Sequence, residues 1–170
     1  TITLGDGSPA MPGVLCSVES WATPPRWFRV ADGGRVVAAV SLDDGSRGDT
    51  ASTIVSDRLE ARSADGTLVP VSLVYDTAAM RRAHGGIRTG TAPALLEAYG
   101  GFGSNSDAAF DPTIAAWTAL GGIYAYAHVR GGGELGNAWH RAAVRDGKRH
   151  GVEDVIGAAE ALIARGLTSP

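Results

Sequence analysis

Three places in this sequence carry residues that could do chemistry: Tyr99-Gly100-Gly101-Phe102, the loop Arg130-Gly131-Gly132-Gly133-Glu134-Leu135-Gly136, and the four histidines. Gly131, Gly133 and Gly136 spell G-x-G-x-x-G, and Asp154 follows about 20 residues on, the spacing of a dinucleotide fingerprint. In such a site the acidic residue closes a strand and meets the ribose. Asp154 instead falls beside Glu153 near the start of an expected helix, where the helix dipole alone favours carboxylates, so no nucleotide cofactor is assigned. His140, His150 and Glu153 could be gathered around a metal, but no H-E-x-x-H spacing fixes two ligands on one helical face. These histidines, and His84 in its Arg-rich surroundings, are expected to be solvated or hydrogen-bonded, and no metal site is assigned. A serine nucleophile would be announced by G-x-S-x-G at a strand-to-helix turn. Ser104 and Ser106 lie instead in Gly-Ser-Asn-Ser-Asp, a turn composition.

Tyr99-Gly100-Gly101-Phe102 is placed differently, at the C-terminal end of an expected strand, where α/β folds put their ligands. Two readings stand open. The glycines let backbone approach a substrate closely, or they merely end the strand while Tyr99 caps the core.

The elements that must position these groups change character along the chain. Up to residue 57, short β-prone runs alternate with turn chemistry at Ala31-Asp32-Gly33-Gly34 and Asp43-Asp44-Gly45, as in hairpins. Pro9, Pro12, Pro24 and Pro25 argue against helix, giving an all-β, edge-like stretch. A further hairpin is expected from residues 58 to 63 and 68 to 75 around Ala64-Asp65-Gly66. Residues 77 to 91 read as an exposed loop. Beyond residue 92 strands and helices alternate. Residues 94 to 98 read as a strand, and Asp111-Pro112-Thr113 as a helix start with Ile114, Trp117 and Leu120 on its apolar face. Residues 123 to 129 read as a strand buried on both faces. Residues 152 to 165 read as a helix with Val152, Val155, Ile156, Ala159 and Ile163 inward and Gly166 as its cap. This order implies parallel strands with right-handed crossovers. No strand follows the last helix, so the chain reads as cut, and residues 123 to 129 are expected to form an exposed sheet edge.

Composition bounds the partners. In 170 residues, 44% are hydrophobic and 19% charged, which excludes a disordered chain. A formal net charge of -3 gives no basic surplus for nucleic acid or an acidic membrane. No apolar run approaches the ~20 residues of a membrane span. The single cysteine, Cys16, excludes an intrachain disulfide. The 24 glycines, about twice the average share of ~7%, lack a Gly-X-Y period and signal turns and close backbone approaches.

Together, Tyr99-Gly100-Gly101-Phe102, Gly121-Gly122 before a strand, Arg130 to Gly136, Trp139-His140, Asp154 and Gly166-Leu167-Thr168-Ser169-Pro170 resemble the prolyl oligopeptidase family of serine peptidases. The resemblance covers residues 58 to 170 strongly and 18 to 57 more loosely, through Ser20-Trp21-Ala22-Thr23-Pro24-Pro25. It implies an α/β fold: residues 58–170 as the first part of an α/β-hydrolase catalytic domain, preceded over 1–57 by the closing antiparallel strands of a β-propeller. It makes Tyr99 an oxyanion-hole residue and Phe102 a substrate-pocket aromatic. The nucleophile, acid and base would lie beyond the segment like Leu167 to Pro170, so the chain alone is expected to be inactive. The implied partners are a short peptide substrate, cut after proline, and the remaining C-terminal part of the catalytic domain, with no cofactor, nucleic acid or membrane. A peptidase cutting after basic residues, or a non-catalytic or degenerate relative, is the alternative. Glu153 stands where the family commonly shows Asp, and residues 80 to 91 make a longer loop than usual. The start of the chain would be internal to its parent, so a missing signal peptide leaves cytoplasm, the favoured compartment, periplasm and secretion all open.

Overall fold

A computed structural model of the chain describes residues 2–5, 13–31, 33, 36–40 and 53–170. The turn at Asp43-Asp44-Gly45, Asp32 and Gly34 of the earlier turn, and Pro9 and Pro12 lie outside the described residues. The chain divides into two compact units, one of residues 1–52 with 107–115, the other of 53–106 with 116–170.

The first unit is an antiparallel four-stranded sheet in sequential order: β1 (Ile2–Leu4), β2 (Val14–Ser20), β3 (Thr23–Val30) and β4 (Val36–Val40). The hairpin expected around Gly33 is present, since β3 and β4 pair antiparallel. Pro24 and Pro25 do not make an edge strand. They are the second and third residues of the inner strand β3, beside a register shift against β2 and before the ladder to β4 begins at Trp27, where a missing N–H costs little. Residues 107–115 are tied into this unit by Phe110 N–H donating to Glu19 Oε2 at 2.7 Å and Asp111 N–H donating to the Trp21 carbonyl at 3.0 Å.

The second unit is a sheet of order β5-β6-β8-β7, built from β5 (Ile54–Arg62), β6 (Leu68–Asp76), β7 (Ala94–Glu97) and β8 (Ile123–Ala127). β5 pairs antiparallel with β6 and β6 with β8, whereas β7 lies parallel to β8. β8 is buried at all five positions, as its unbroken apolar run requires. It is central, however, and the sheet edges are β5 and β7, which corrects the exposed edge expected at residues 123 to 129. Residues 77 to 91 are likewise not all loop. Asp76 caps a helix α1 (Thr77–His84) by accepting from the Ala78 and Ala79 amides at 2.8 and 2.9 Å, and Gly85 closes it. A helix α2 (Pro112–Ala119) starts at Asp111, whose carboxylate accepts from Thr113 N–H at 2.7 Å. Ile114 is buried, but Leu120, past the helix end, is exposed. A short helix α3 (Asn137–Arg141) and a 3₁₀ turn (Arg145–Lys148) lead into α4 (Arg149–Ala164).

One face of the sheet, Leu59, Val69, Val71, Leu73 and Ala125, packs with Met80 of α1 and Ala158 and Leu162 of α4. The buried stripe of α4 is Gly151, Asp154, Gly157, Ala158 and Leu162, whereas Val152, Ile156 and Ile163 are exposed. This rotates the expected face, because at Gly157 the helix approaches β5 so closely that no side chain fits between them. A Cβ at Gly157 would overlap the Arg62 carbonyl. Among the described residues no helix is long and apolar enough to cross a membrane.

Candidate functional site

The sequence places Tyr99 and Phe102 just after β7, and the structure presents both side chains to solvent, Phe102 at 90% exposure and Tyr99 at 57%. Phe102 also adopts φ 55°, a left-handed conformation that costs a bulky residue of order 1 kcal/mol. An aromatic ring held exposed in a strained backbone contributes nothing to the core. Tyr99 does not cap the core of the described residues either: its ring leans on Gly101 and remains more than half exposed.

The loop carrying them is built on the 130–140 segment. Gly103 N–H donates to the Gly131 carbonyl at 3.0 Å, Gly133 N–H to the Ser104 carbonyl at 3.0 Å, and Ser106 N–H to Glu134 Oε1 at 3.2 Å. His140 donates from Nδ1 to the Gly131 carbonyl at 2.8 Å, which fixes its tautomer because a carbonyl only accepts. Gly131, at φ 100°, has no room for a side chain because a Cβ would overlap the Gly100 carbonyl. Lys148 Nζ donates to that same carbonyl at 3.0 Å. Gly131 and Gly133 of the G-x-G-x-x-G run are thus occupied with packing one loop on the other, whereas Gly136 borders open space.

Beneath the loop lies a polar network that the sequence did not disclose. The Tyr126 hydroxyl is hydrogen-bonded to Ser106 Oγ and to the Tyr99 backbone. Burial pushes its phenol pKa up against those bonds, so it stays neutral. His128 Nε2 lies 2.8 Å from Ser72 Oγ, its Nδ1 faces Glu134 Oε1 at 3.5 Å, and its ring packs on Tyr126 with centroids 5.3 Å apart. Burial pulls the His128 pKa down, and Glu134 partly restores it. Ser72, His128 and Glu134 follow the order of a catalytic triad. Yet Ser72 sits in mid-strand between ladder partners Arg58 and Tyr126, and a strand interior commits its amides to the sheet rather than to an oxyanion.

Asp154 belongs to a different cluster. Fully buried, it accepts from the Arg130 backbone N–H at 2.9 Å and from the guanidinium at 2.6 to 3.1 Å. Arg130 extends to Asp65 and Ser63 in the β5–β6 turn at 2.5 and 3.0 Å. The Arg130 hydrogen bond holds the Asp65 carboxyl well below the usual carboxylate range, helped by Thr67, while these carboxylates push the guanidinium pKa up. Asp154 is thus a buried counter-ion, a role that neither a ribose ligand nor a helix-dipole carboxylate describes. His150 donates Nδ1 to the Ala142 carbonyl at 2.8 Å and His84 bonds the Gly121 carbonyl at 3.1 Å, so with His140 they are hydrogen-bonded to backbone.

Comparison with known proteins bears on both units. The family model described as prolyl oligopeptidase family matches residues 108–170. The chain is 37% identical over 115 residues to a prolyl endopeptidase of Elizabethkingia meningoseptica, covering 68% of this chain and 15% of that protein. The structure of a post-proline cleaving enzyme from Rickettsia typhi superposes with a TM-score of 0.80 at 26% identity, over 100% of this chain and 23% of that one. Oligopeptidase B from Leishmania major gives a TM-score of 0.76 at 31% identity, over 94% of this chain and 21% of its own. The chain therefore spans less than a quarter of the length of these relatives.

Proposed function

Because this chain belongs to the prolyl oligopeptidase family, we propose that it is the part of a serine peptidase that supplies an oxyanion donor and a substrate-pocket aromatic for cleaving short peptides after proline. The β5-β6-β8-β7 sheet is the N-terminal part of an α/β-hydrolase domain, and the antiparallel sheet before it is of β-propeller type. In the proposed division, residues 1–57 close the propeller and 58–170 open the catalytic domain. The nucleophilic serine, its histidine and its acid come from sequence outside these residues.

The observation that carries this reading is the exposure of Tyr99 and strained Phe102 at the C-terminal end of a sheet strand, on a loop hydrogen-bonded along its length. As serine attacks the scissile carbonyl, negative charge grows on its oxygen. A pre-oriented Tyr99 hydroxyl donates to that oxygen more strongly in the transition state than in the ground state. Phe102 offers an apolar surface to the substrate. The similarity to a prolyl endopeptidase and a post-proline cleaving enzyme supports proline specificity, and the similarity to oligopeptidase B keeps cleavage after basic residues as the second reading.

The test is hydrolysis of chromogenic peptides bearing Pro or Arg before the scissile bond by the full-length protein, with and without a fluorophosphonate that traps activated serines. Proline-peptide turnover abolished by the trap is expected. Turnover of the Arg peptide alone would move the protein to the basic-residue specificity, and no trap-sensitive turnover would remove the peptidase reading.

A further inference from the structure

Gly100 is buried, at φ 56°, and is followed by a second glycine. The Gly100–Gly101 peptide therefore has little steric preference between its two flipped orientations, since glycine populates positive and negative φ alike. A flip would exchange the directions of the Gly100 carbonyl and the Gly101 N–H and so change the peptide surface beside the Tyr99 ring, which lies against Gly101. One orientation has to be selected from outside the loop. The Lys148 ammonium does this from the end of the 3₁₀ turn, donating to the Gly100 carbonyl at 3.0 Å. A charge-assisted bond to a buried carbonyl is among the stronger polar contacts, and losing it leaves the carbonyl without its donor while water is reached only by turning the peptide. Gly131 contributes the second half of the selection. Its missing side chain leaves the space that the carbonyl occupies.

We infer that Lys148 is a positioning residue for the oxyanion tyrosine, acting by holding the Gly100–Gly101 peptide in one orientation. The inference rests on the proposed role of Tyr99. Lys148 itself is an exposed residue that bonds the Gly100 carbonyl and not the Tyr99 side chain, so it acts on rate only through Tyr99.

The experiment is a double-mutant cycle in the full-length protein, reading kcat, KM and thermal midpoint on its best chromogenic peptide. Lys148→Met, which keeps the stem and removes the donor, is expected to lower kcat about tenfold, as misplacement of a catalytic group does, with KM changed by less than about threefold. Lys148→Arg should recover most of the rate. In a Tyr99→Phe background, Lys148→Met should cost less than about twofold more, because the group it positions is gone. If Tyr99→Phe slows turnover and Lys148→Met does not, or if the Lys148 factor is the same in both backgrounds, the positioning role is overturned while the Tyr99 reading stands. If Tyr99→Phe leaves kcat unchanged, both fall. A lowered midpoint with unchanged kcat would make Lys148 a stability residue and also overturn the inference.

Discussion

Arg130 and Asp154 form an ion pair inside the second unit, Nη2 to Oδ1 at 2.6 Å, with the side chains 5% and 0% exposed. The pair joins the loop that follows β8 to the second turn of α4, and through Asp65 and Ser63 it also holds the β5–β6 turn. The loop that supports Tyr99 starts at Arg130, so this cluster is the base on which the site is built.

Removing one partner is predicted to be far worse than removing both. Arg130→Met leaves Asp154 buried without its cation, a loss that typically costs about 3–5 kcal/mol. Arg130→Met combined with Asp154→Leu should be markedly more stable than Arg130→Met alone, since no fully buried charge is left uncompensated and Asp65, whose side chain is 40% exposed, can turn to water. Urea unfolding of the three proteins checks this. A double variant at least as unstable as the single one would mean that packing, rather than charge, dominates the cluster.

How much of this was legible beforehand depends on what each element advertises. The β5–β6 hairpin, the buried β8 run and the parallel β7–β8 pair followed from turn residues and unbroken apolar runs, because those signals are local. Helix α1 was also signalled locally, by Asp76 before Thr77 and by Gly85 after His84, but Arg81, Arg82 and His84 made the segment look like loop. The inward face of α4 was not readable: Val152, Ile156 and Ile163 have the spacing of a core face, and only the distance to Arg62 dictates that glycines and Asp154 take it. Lys148 and His128 meet their partners 48 and 56 residues away, and nothing near them in sequence announces it. At Tyr99 and Phe102 the Gly-rich strand end by itself left both readings open, a close substrate approach or a plain strand end, and only the family resemblance gave those two residues roles.

The α4 packing gives a prediction whose sign opposes the usual rule. Gly→Ala in a helix interior ordinarily stabilises by up to about 1 kcal/mol. At Gly157 the new methyl would overlap the Arg62 carbonyl of β5, and backbone cannot yield as a side-chain tip can. Gly157→Ala should therefore destabilise, by about 1–3 kcal/mol as for other overpacked sites. A raised thermal midpoint would show that the helix moves away from the sheet at little cost.

His128 should make stability fall with acid. Burial lowers its folded pKa below 6.5, against the opposing pull of Glu134. Between the folded pKa and 6.5, the unfolded chain binds the proton more readily, so stability rises with pH across that window. The contribution is fully present above pH 6.5 and is lost as pH falls through the folded value. His128→Gln can keep a bond to Ser72 without titrating. Its thermal midpoint should vary less than that of the parent protein between pH 7 and 5, and parallel pH curves would exclude His128 as the group responsible.

The proposed role of Tyr99 separates rate from stability. Its hydroxyl would bond the oxyanion as charge develops, so Tyr99→Phe in the full-length protein should lower kcat by about 10² to 10³ while KM changes little. The ring that leans on Gly101 is retained, and at 57% exposure the residue contributes little to the core, so the thermal midpoint should hold within a degree or two, as for most exposed substitutions. A Tyr99 that only finishes β7 would give the reverse pattern, a shifted midpoint with kcat within a few-fold. Phe102→Ala supplies the contrast on the same loop. Removing an aromatic that meets substrate in both ground and transition states should raise KM and leave kcat closer to its original value, and because the side chain is 90% exposed and alanine keeps the same left-handed backbone, stability should change little. A kcat loss at Phe102 as large as that at Tyr99 would mean that the loop responds as one body and that neither side chain has a separate assignment.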